Sequence, residues 1–310
     1  MTATKTAESF VHPALLYRGV EEYLDGTVPF IREGLKAGQP VAVAVPGRNL
    51  TLLRRSLDVD AAAVHFVDMT EAGRNPGRII PSVLRAFADA HSQTHVRIIG
   101  EPIWPGRSGI EYPACVQHEA LINPAFQGRD VTILCPYDAD RLDEEMLTDA
   151  SATHPVIVSG GSRRPSPSYA PEQVMAQYNR PPAAAPTTAE PQLFGLDDLP
   201  AVRHFAIEQA AQLGMSGVRL DDLALAVAEL TTNSVVHGGG SGSLRIWGQD
   251  LQVVCEVRDA GHLSDPLAGR RPAARDQRGG RGLLLVHTVA DLVRIHTGPG
   301  GTAIRFYIGR

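Results

Sequence analysis

The stretch Arg219–His237, RLDDLALAVAELTTNSVVH, decides how the last third of this chain folds. Leu220, Leu223, Val227, Leu230 and Ser234 recur at intervals of three and four, which predicts an amphipathic helix with that stripe turned to a core. Glu229 and Asn233 stand four residues apart, so they project from one side, one turn from each other, and His237 continues that side. A carboxylate and a carboxamide aligned this way can act on one ion or one water. The carboxamide offers a neutral oxygen to a hard cation, and the carboxylate can orient or deprotonate an attacking group. Alone, such a pair is more often part of a solvated face, so the neighbouring sequence has to decide.

Upstream, Leu199, Val202, Phe205, Ala206 and Leu213 predict a second amphipathic helix, closed by Gly214. Downstream come two strands, Ser243–Trp247 and Leu251–Arg258. In the latter, Leu251, Val253, Cys255 and Val257 alternate with Gln252, Glu256 and Arg258, which predicts a sheet with one covered face. Asp259 ends that strand and Ala260-Gly261 turns the chain. A carboxylate there can accept a hydrogen bond from an exocyclic amine such as that of adenine, and the glycine lets the backbone approach a flat ligand. Isolated, the same residues would be an ordinary turn. A loop carrying Arg270, Arg271, Arg275 and Arg278 then runs into Gly279-Gly280-Arg281-Gly282-Leu283, followed by a helix with Leu283, Val286, Val289 and Ala290 apolar. Glycines at a helix start expose amides to an anion, the helix dipole adds to the attraction, and an arginine fork suits phosphate. Val293–Thr297 and Thr302–Ile308 predict a hairpin across Gly298-Pro299-Gly300-Gly301.

The order E-L-T-T-N, D-A-G, G-G-R-G-L-L-L-V and G-G-T over nearly all of residues 193–310 resembles the GHKL (Bergerat-fold) ATPase superfamily, and its spacing looks like the anti-sigma-factor serine/threonine kinase branch. The resemblance implies a C-terminal α/β two-layer sandwich that binds ATP with Mg²⁺. By the same resemblance Asn233 coordinates Mg²⁺, Glu229 is the catalytic base, Asp259 contacts adenine, and Gly261 shapes the base pocket. Gly280, Arg281 and Gly282 border the phosphates, and Thr302 lies close to adenine. This chain has His262-Leu263 after D-A-G, where many relatives place another glycine.

The chain has 310 residues, more than one typical domain, and a hydrophobic fraction of 43%, ample for two cores. Its formal charge of −5, with no long single-sign run, argues against direct nucleic-acid binding. Cys115, Cys135 and Cys255 are far apart and odd in number, which fits buried thiols in a reducing cytoplasm. Cys115 and His118 form a Cys-x-x-His pair, but no second ligand pair follows, and they read as a helix surface. The N-terminus lacks the pattern of a signal peptide, and no run approaches the about 18 apolar residues needed to cross a bilayer, so a cytoplasmic protein with no membrane contact is expected.

From Gly160 to Pro191 the sequence is dense in Pro, Ala, Ser and Thr, which predicts a linker over residues 160–192 with at most a short turn near Glu172–Tyr178. It separates residues 10–159 from residues 193–310. In the first part, Val41–Val45, Val64–Val67, Val96–Ile99, Val131–Leu134 and Val156–Val158 are near-continuous apolar runs, as strands covered on both faces require. Helical patterns lie between them: Val20 to Leu35, Leu50–Leu57, Pro81–His91, Tyr112–Ile122 and Leu142–Ala150. The alternation predicts an α/β unit with a mostly parallel sheet and helices on both faces. Neither G-x-x-x-x-G-K-[ST] nor G-x-G-x-x-G occurs here, so this half carries no phosphate-loop signal. Glu101, His118 and Glu119 read as solvated or structural polar residues, with a ligand pocket as the alternative. The motifs H-P-x-L-L-Y, G-L-x-x-G-Q-P before V-A-V-A-V, E-P-I-W, H-E-A-L-I-N and L-C-P-Y-D resemble the MEDS sensory domain. That resemblance implies a RecA-like fold without the phosphate loop and a small-molecule ligand that no named residue identifies.

Four functions follow from these readings. The first is a serine/threonine protein kinase moving the ATP γ-phosphoryl group to an antagonist protein, with a sigma factor as the alternative partner and a homodimer as the family's expectation. The second, a sensor histidine kinase, needs a helical hairpin with an acceptor histidine before the ATP domain, which the proline-rich residues 160–191 do not offer. The third is a module that holds ATP and sequesters a partner without transfer; the presence of Glu229 speaks against it. The fourth, a gyrase- or chaperone-type machine, needs a transducer domain after the ATP site.

Overall fold

Short valine- and isoleucine-rich runs separated by amphipathic stretches favour strands that must be covered on both faces. A computed structural model of the protein, describing residues 10–273 and 280–310, has that alternation through the first of its two compact units, which part between Tyr178 and Asn179. The elements of the first unit are β1 (Phe10–Val11), β2 (Pro13–Tyr17), α1 (Gly19–Lys36), β3 (Val41–Val45), α2 (Gly47–Leu57), β4 (Val64–Asp68), α3 (Met69–Ala72), α4 (Arg85–Ala90), β5 (Val96–Gly100), α5 (Tyr112–Phe126), β6 (Val131–Asp138), α6 (Glu144–Thr153), β7 (Val156–Ser159), β8 (Ser162–Pro165) and α7 (Pro171–Tyr178). The sheet order is β4-β3-β5-β6-β2-β7-β8, with β1 pairing alongside β6. Every pair is parallel except β7–β8.

Period-two alternation sends neighbouring residues to opposite faces. Leu15 and Leu134 pack with Val41, Val43 and Val45 against Tyr23 and Ile31 of α1 and Leu53 and Leu57 of α2. Cys135, next to Leu134, turns the other way, toward Glu119 of α5. This second layer is more enclosed than the sequence suggests. Along α5 twelve residues are buried, including Cys115, Gln117, His118 and Glu119. The Cys115–His118 pair is therefore inside the unit and not on a helix surface. Glu101, His118 and Glu119 are 2%, 1% and 0% exposed, so of their readings the solvated one is excluded, and the structural one and the ligand pocket remain. Asn49 Nδ2 donates to both oxygens of Glu101, at 3.0 and 2.8 Å. Burial outweighs that contact and, with help from Asp138, pushes the Glu101 carboxyl up to about 8.

The proline-rich stretch contributes to both units. Pro171 opens α7, a place where its missing N–H costs nothing. That helix buries Val174 and Tyr178, and the Tyr178 hydroxyl shares the Asp149 carboxylate with Tyr112, whose own hydroxyl donates at 2.7 Å. Beyond it, Asn179 Nδ2 donates to Thr297 O at 2.8 Å, and the carbonyls of Ala183 and Ala189 accept from Arg305 and Arg245 at 2.6 and 3.0 Å. A segment this rich in proline has no ladder of its own, so side chains of the second unit supply its donors.

The second unit comprises β9 (Gln192–Phe194), α8 (Leu199–Gln212), α9 (Val218–His237), β10 (Gly242–Gln249), β11 (Gln252–Asp259), α10 (Gly282–Val289), β12 (Leu292–Gly298) and β13 (Gly301–Gly309). The strands form an antiparallel sheet, β12-β13-β11-β10-β9. One face carries Leu244, Val253, Cys255, Val257, Phe306 and Ile308, which pack with Val202, Ala206, Val227, Leu230 and Val286 of the three helices. The expectation of a single covered face is too simple, because the opposite face is also buried at Val254, Glu256, Arg305 and Tyr307. Glu256 accepts from Arg305 Nε at 3.0 Å and from Arg258 Nε at 2.6 Å. Burial alone would raise its carboxyl, but the two guanidiniums outweigh it and hold the group below the usual carboxylate range. All three cysteines are free and buried, and among the described residues no helix is long and apolar enough to cross a membrane.

Candidate functional site

α9 buries Leu223, Ala226, Val227 and Leu230 against the sheet, which leaves Glu229, Asn233 and His237 along its flank at the spacing of one turn. Ser234, one residue past Asn233, turns inward to the end of β11. Its hydroxyl donates to Asp259 Oδ2 at 2.7 Å. The other carboxylate oxygen, Oδ1, accepts from the backbone N–H of Gly261 at 2.8 Å. Both contacts aim Asp259 and leave each oxygen with an unused lone pair. Asp259 stands opposite Thr302 in the β11–β13 register, and the Thr302 hydroxyl donates to Gly261 O at 2.8 Å while lying 2.9 Å from the Thr297 hydroxyl. Asp259, Gly261 and Thr302 are thus one connected cluster.

Glycine is required where backbones close in on this cluster. An ideal Cβ on Gly261 would lie 2.7 Å from Gly238 Cα, and one on Gly301, at φ +107, would lie 2.1 Å from Asp259 O. Gly280, at φ +75, sets the chain into α10. A Cβ on Gly282 would meet Glu229 Oε2 at 2.4 Å and Asn233 Nδ2 at 3.3 Å. The first turn of α10 therefore lies directly against both α9 side chains, and its first backbone amides have no partner within the helix.

Asn233, Asp259, Gly261, Gly280, Arg281, Gly282 and Thr302 all line one cavity of about 730 Å³, together with His237. Glu229 is half-buried and sits beside that lining, against Gly282. Such a volume accommodates a drug-sized or nucleotide-sized molecule. The donors and acceptors around it are mixed: a neutral carboxamide, an aimed carboxylate, a hydroxyl, and the start of a helix. Two arginines of the preceding loop are already committed. Arg270 is buried, and Arg271 is paired with Asp265. Arg275, Arg278 and Gly279 lie outside the described residues. Ser234 and Thr297 were not legible as site residues. Ser234 sits in the apolar stripe of α9, and its partner Asp259 is distant in sequence.

The comparisons with known proteins agree with this division. Residues 11–155 match the family model described as MEDS, the MEthanogen/methylotroph, DcmR Sensory domain, and residues 195–308 match the histidine kinase-like ATPase domain. No curated protein matches the chain. Among solved structures, the RsbU and RsbW domains of Rv1364c from Mycobacterium tuberculosis are similar at 22% identity over 41% of this chain, with a TM-score of 0.29. The similarity spans 34% of that chain's length. The two family matches fall one in each unit, and the chain thus joins a MEDS domain to a histidine kinase-like ATPase domain.

Proposed function

We propose that the second unit binds Mg²⁺-ATP in the cavity between α9 and α10 and passes its γ-phosphoryl group to a serine or threonine hydroxyl of an antagonist protein, with a sigma factor as its alternative partner. The observation that carries this reading is the convergence of Asn233, Asp259, Gly261, Gly280–Gly282 and Thr302 on one cavity. Their order along the chain is the one that resembles the anti-sigma-factor kinase branch. In this reading the N-terminal MEDS domain senses a small molecule and biases the kinase.

The residues present fit the nucleotide and its ion. Asp259 is aimed by Ser234 and Gly261 and keeps a lone pair for an exocyclic amine, while Thr302 braces the Gly261 carbonyl beside it. The α10 start offers backbone N–H groups and a positive dipole end to phosphate, with Arg281 alongside. Asn233 would hold Mg²⁺, which supplies charge neutralisation to the phosphates when bound. Glu229, one turn away, would accept the proton of the attacking hydroxyl.

One experiment separates binding from transfer. Asn233→Ala should lower Mg²⁺-ATP affinity about a hundredfold or more by calorimetry. Glu229→Ala should keep ATP affinity while phosphorylation of a partner falls by roughly 10²–10⁴. Wild-type affinity in the first variant would sink the site assignment, and undiminished transfer in the second would remove Glu229 as the base.

A further inference from the structure

The first unit holds a buried group of side chains that the nucleotide reading does not use. His12, in the break between β1 and β2, meets Glu119 of α5, Cys135 of β6 and His154 at the end of α6. All four are 0% exposed, and one ligand atom from each lies within 4.8 Å of all the others. His12 Nε2 is 3.3 Å from Glu119 Oε2 and 3.4 Å from Cys135 Sγ, and His154 Nε2 is 3.2 Å from the same Glu119 oxygen.

The hydrogen bonds around this group fix which imidazole nitrogens carry protons. Asn123 Nδ2 donates to Thr153 O at 2.9 Å, so Asn123 Oδ1 faces His12 as an acceptor at 3.2 Å, and His12 must carry its hydrogen on Nδ1. His154 Nδ1 lies 2.8 Å from the carbonyl of Ala150, which can only accept. Both rings therefore present an unprotonated Nε2 to the centre, each steadied from behind by an acceptor, as in histidines that ligate metals. The Cys135 thiol supplies one proton, to His12. That leaves His154 Nε2 and both Glu119 oxygens buried with no hydrogen-bond partner. Unpaired acceptors sealed from water are costly, and a cation among them removes the cost.

We propose that His12, Glu119, Cys135 and His154 form a closed four-ligand site for one divalent transition-metal ion, Zn²⁺ being the ion the donor set suits. Two imidazoles, a carboxylate and a thiolate make an N₂OS set too soft for Mg²⁺ or Ca²⁺. Tetrahedral Zn²⁺, with bonds of about 2.0–2.3 Å, needs ligand separations of roughly 3.3–3.7 Å, close to the three short ones here. Carboxylate and thiolate together carry two negative charges, so the loaded site is neutral, as a buried site should be. Binding forms an S–metal bond, releases the Cys135 proton to solvent and changes no oxidation state. The ion would tie the β1–β2 break, α5, β6 and α6 together.

The full-length chain, stripped with a chelator, is titrated with Zn²⁺ against a chromophoric competitor and separately loaded with Co²⁺. The expected result is one equivalent of either ion, with a thiolate-to-cobalt charge-transfer band and the intense visible bands of tetrahedral Co²⁺. Cys135→Ser should lose the charge-transfer band and weaken Zn²⁺ at least tenfold, whereas Cys115→Ser, outside the cluster, should change neither. Absence of stoichiometric binding by the folded wild-type chain overturns the proposal, as does a charge-transfer band that survives in Cys135→Ser. The wild-type cobalt spectrum decides the matter by itself if the Cys135 variant does not fold.

Discussion

The two units collect polar side chains in opposite ways. In the second unit the candidate site is open: a cavity of about 730 Å³ where glycines allow strand ends and a helix start to approach, and where the Asp259 carboxylate already has two donors. In the first unit, four side chains converge within 4.8 Å, fully buried, and leave a carboxylate and an imidazole nitrogen without partners. A site of the first kind suits a large ligand that enters and leaves, held by many weak contacts. One of the second kind suits an object the size of an ion, held by a few strong bonds. The difference teaches that cavity size alone points to the first arrangement and not to the second.

Three substitutions press on this contrast. The largest effect is expected at Gly301, because the open site depends on backbone approach. Gly301→Ala would put a methyl 2.1 Å from the Asp259 carbonyl at φ +107, and neither backbone can yield cheaply. The second unit should lose about 3 kcal/mol or more. The chain has two tryptophans, Trp104 in the first unit and Trp247 in the second, so urea unfolding followed by Trp247 fluorescence in a Trp104→Phe background reads this loss directly. Unchanged stability would mean that the glycine is not a packing requirement.

A smaller effect is expected at Glu101, which tests how the first unit treats buried carboxylates. Its folded-state pKa of about 8 lies above the ordinary 4.5, so the unfolded chain releases this proton first as pH rises. The group thus costs nothing below about pH 4.5, destabilises progressively between about 4.5 and 8, and adds no further penalty above that. Glu101→Gln should remove the slope. The variant should differ least from wild type below pH 4.5 and exceed it at pH 8 by a few kcal/mol, read by Trp104 fluorescence in a Trp247→Phe background. A constant difference across that window would show that Glu101 is ionised in the fold. Glu256 behaves oppositely because Arg258 and Arg305 face it, and its contribution is lost as pH falls.

The smallest effect is expected at Ser234, which only aims Asp259. Ser234→Ala removes a 2.7 Å hydrogen bond worth about 1 kcal/mol, so ATP affinity should fall several-fold with the fold intact. No change in affinity by calorimetry would mean that Gly261 alone suffices to hold the carboxylate.

Much of this was legible in the sequence. The valine runs at residues 41–45, 96–99 and 131–134 announced strands covered on both faces, and all three lie inside the first sheet. β2 was harder to see, because PALLY is short and starts with proline, yet it lies between β6 and β7. α7 and β9 fall in or beside a proline-rich stretch whose composition argues for a linker, and what orders them is packing within each unit. The polar residues of α5 looked like a surface because single-sequence reasoning places Gln, His and Glu in water. Only the layer formed by α6 and α7 reveals that they are enclosed.

By itself the sequence determined what depends on local periodicity. Four-residue spacing on α9 placed Glu229, Asn233 and His237 on one flank, and glycines marked where the chain must turn. Tertiary structure alone decided what depends on convergence. Ser234 meets Asp259 across 25 residues, Gly282 closes on Glu229 and Asn233, and His12 reaches Cys135 across 123 residues. The physical reason is one of range. Helix and strand geometry repeat over a few residues and can be read along the chain, whereas a binding site is made where separate elements pack, and packing is settled only once each buried polar group has found its partner.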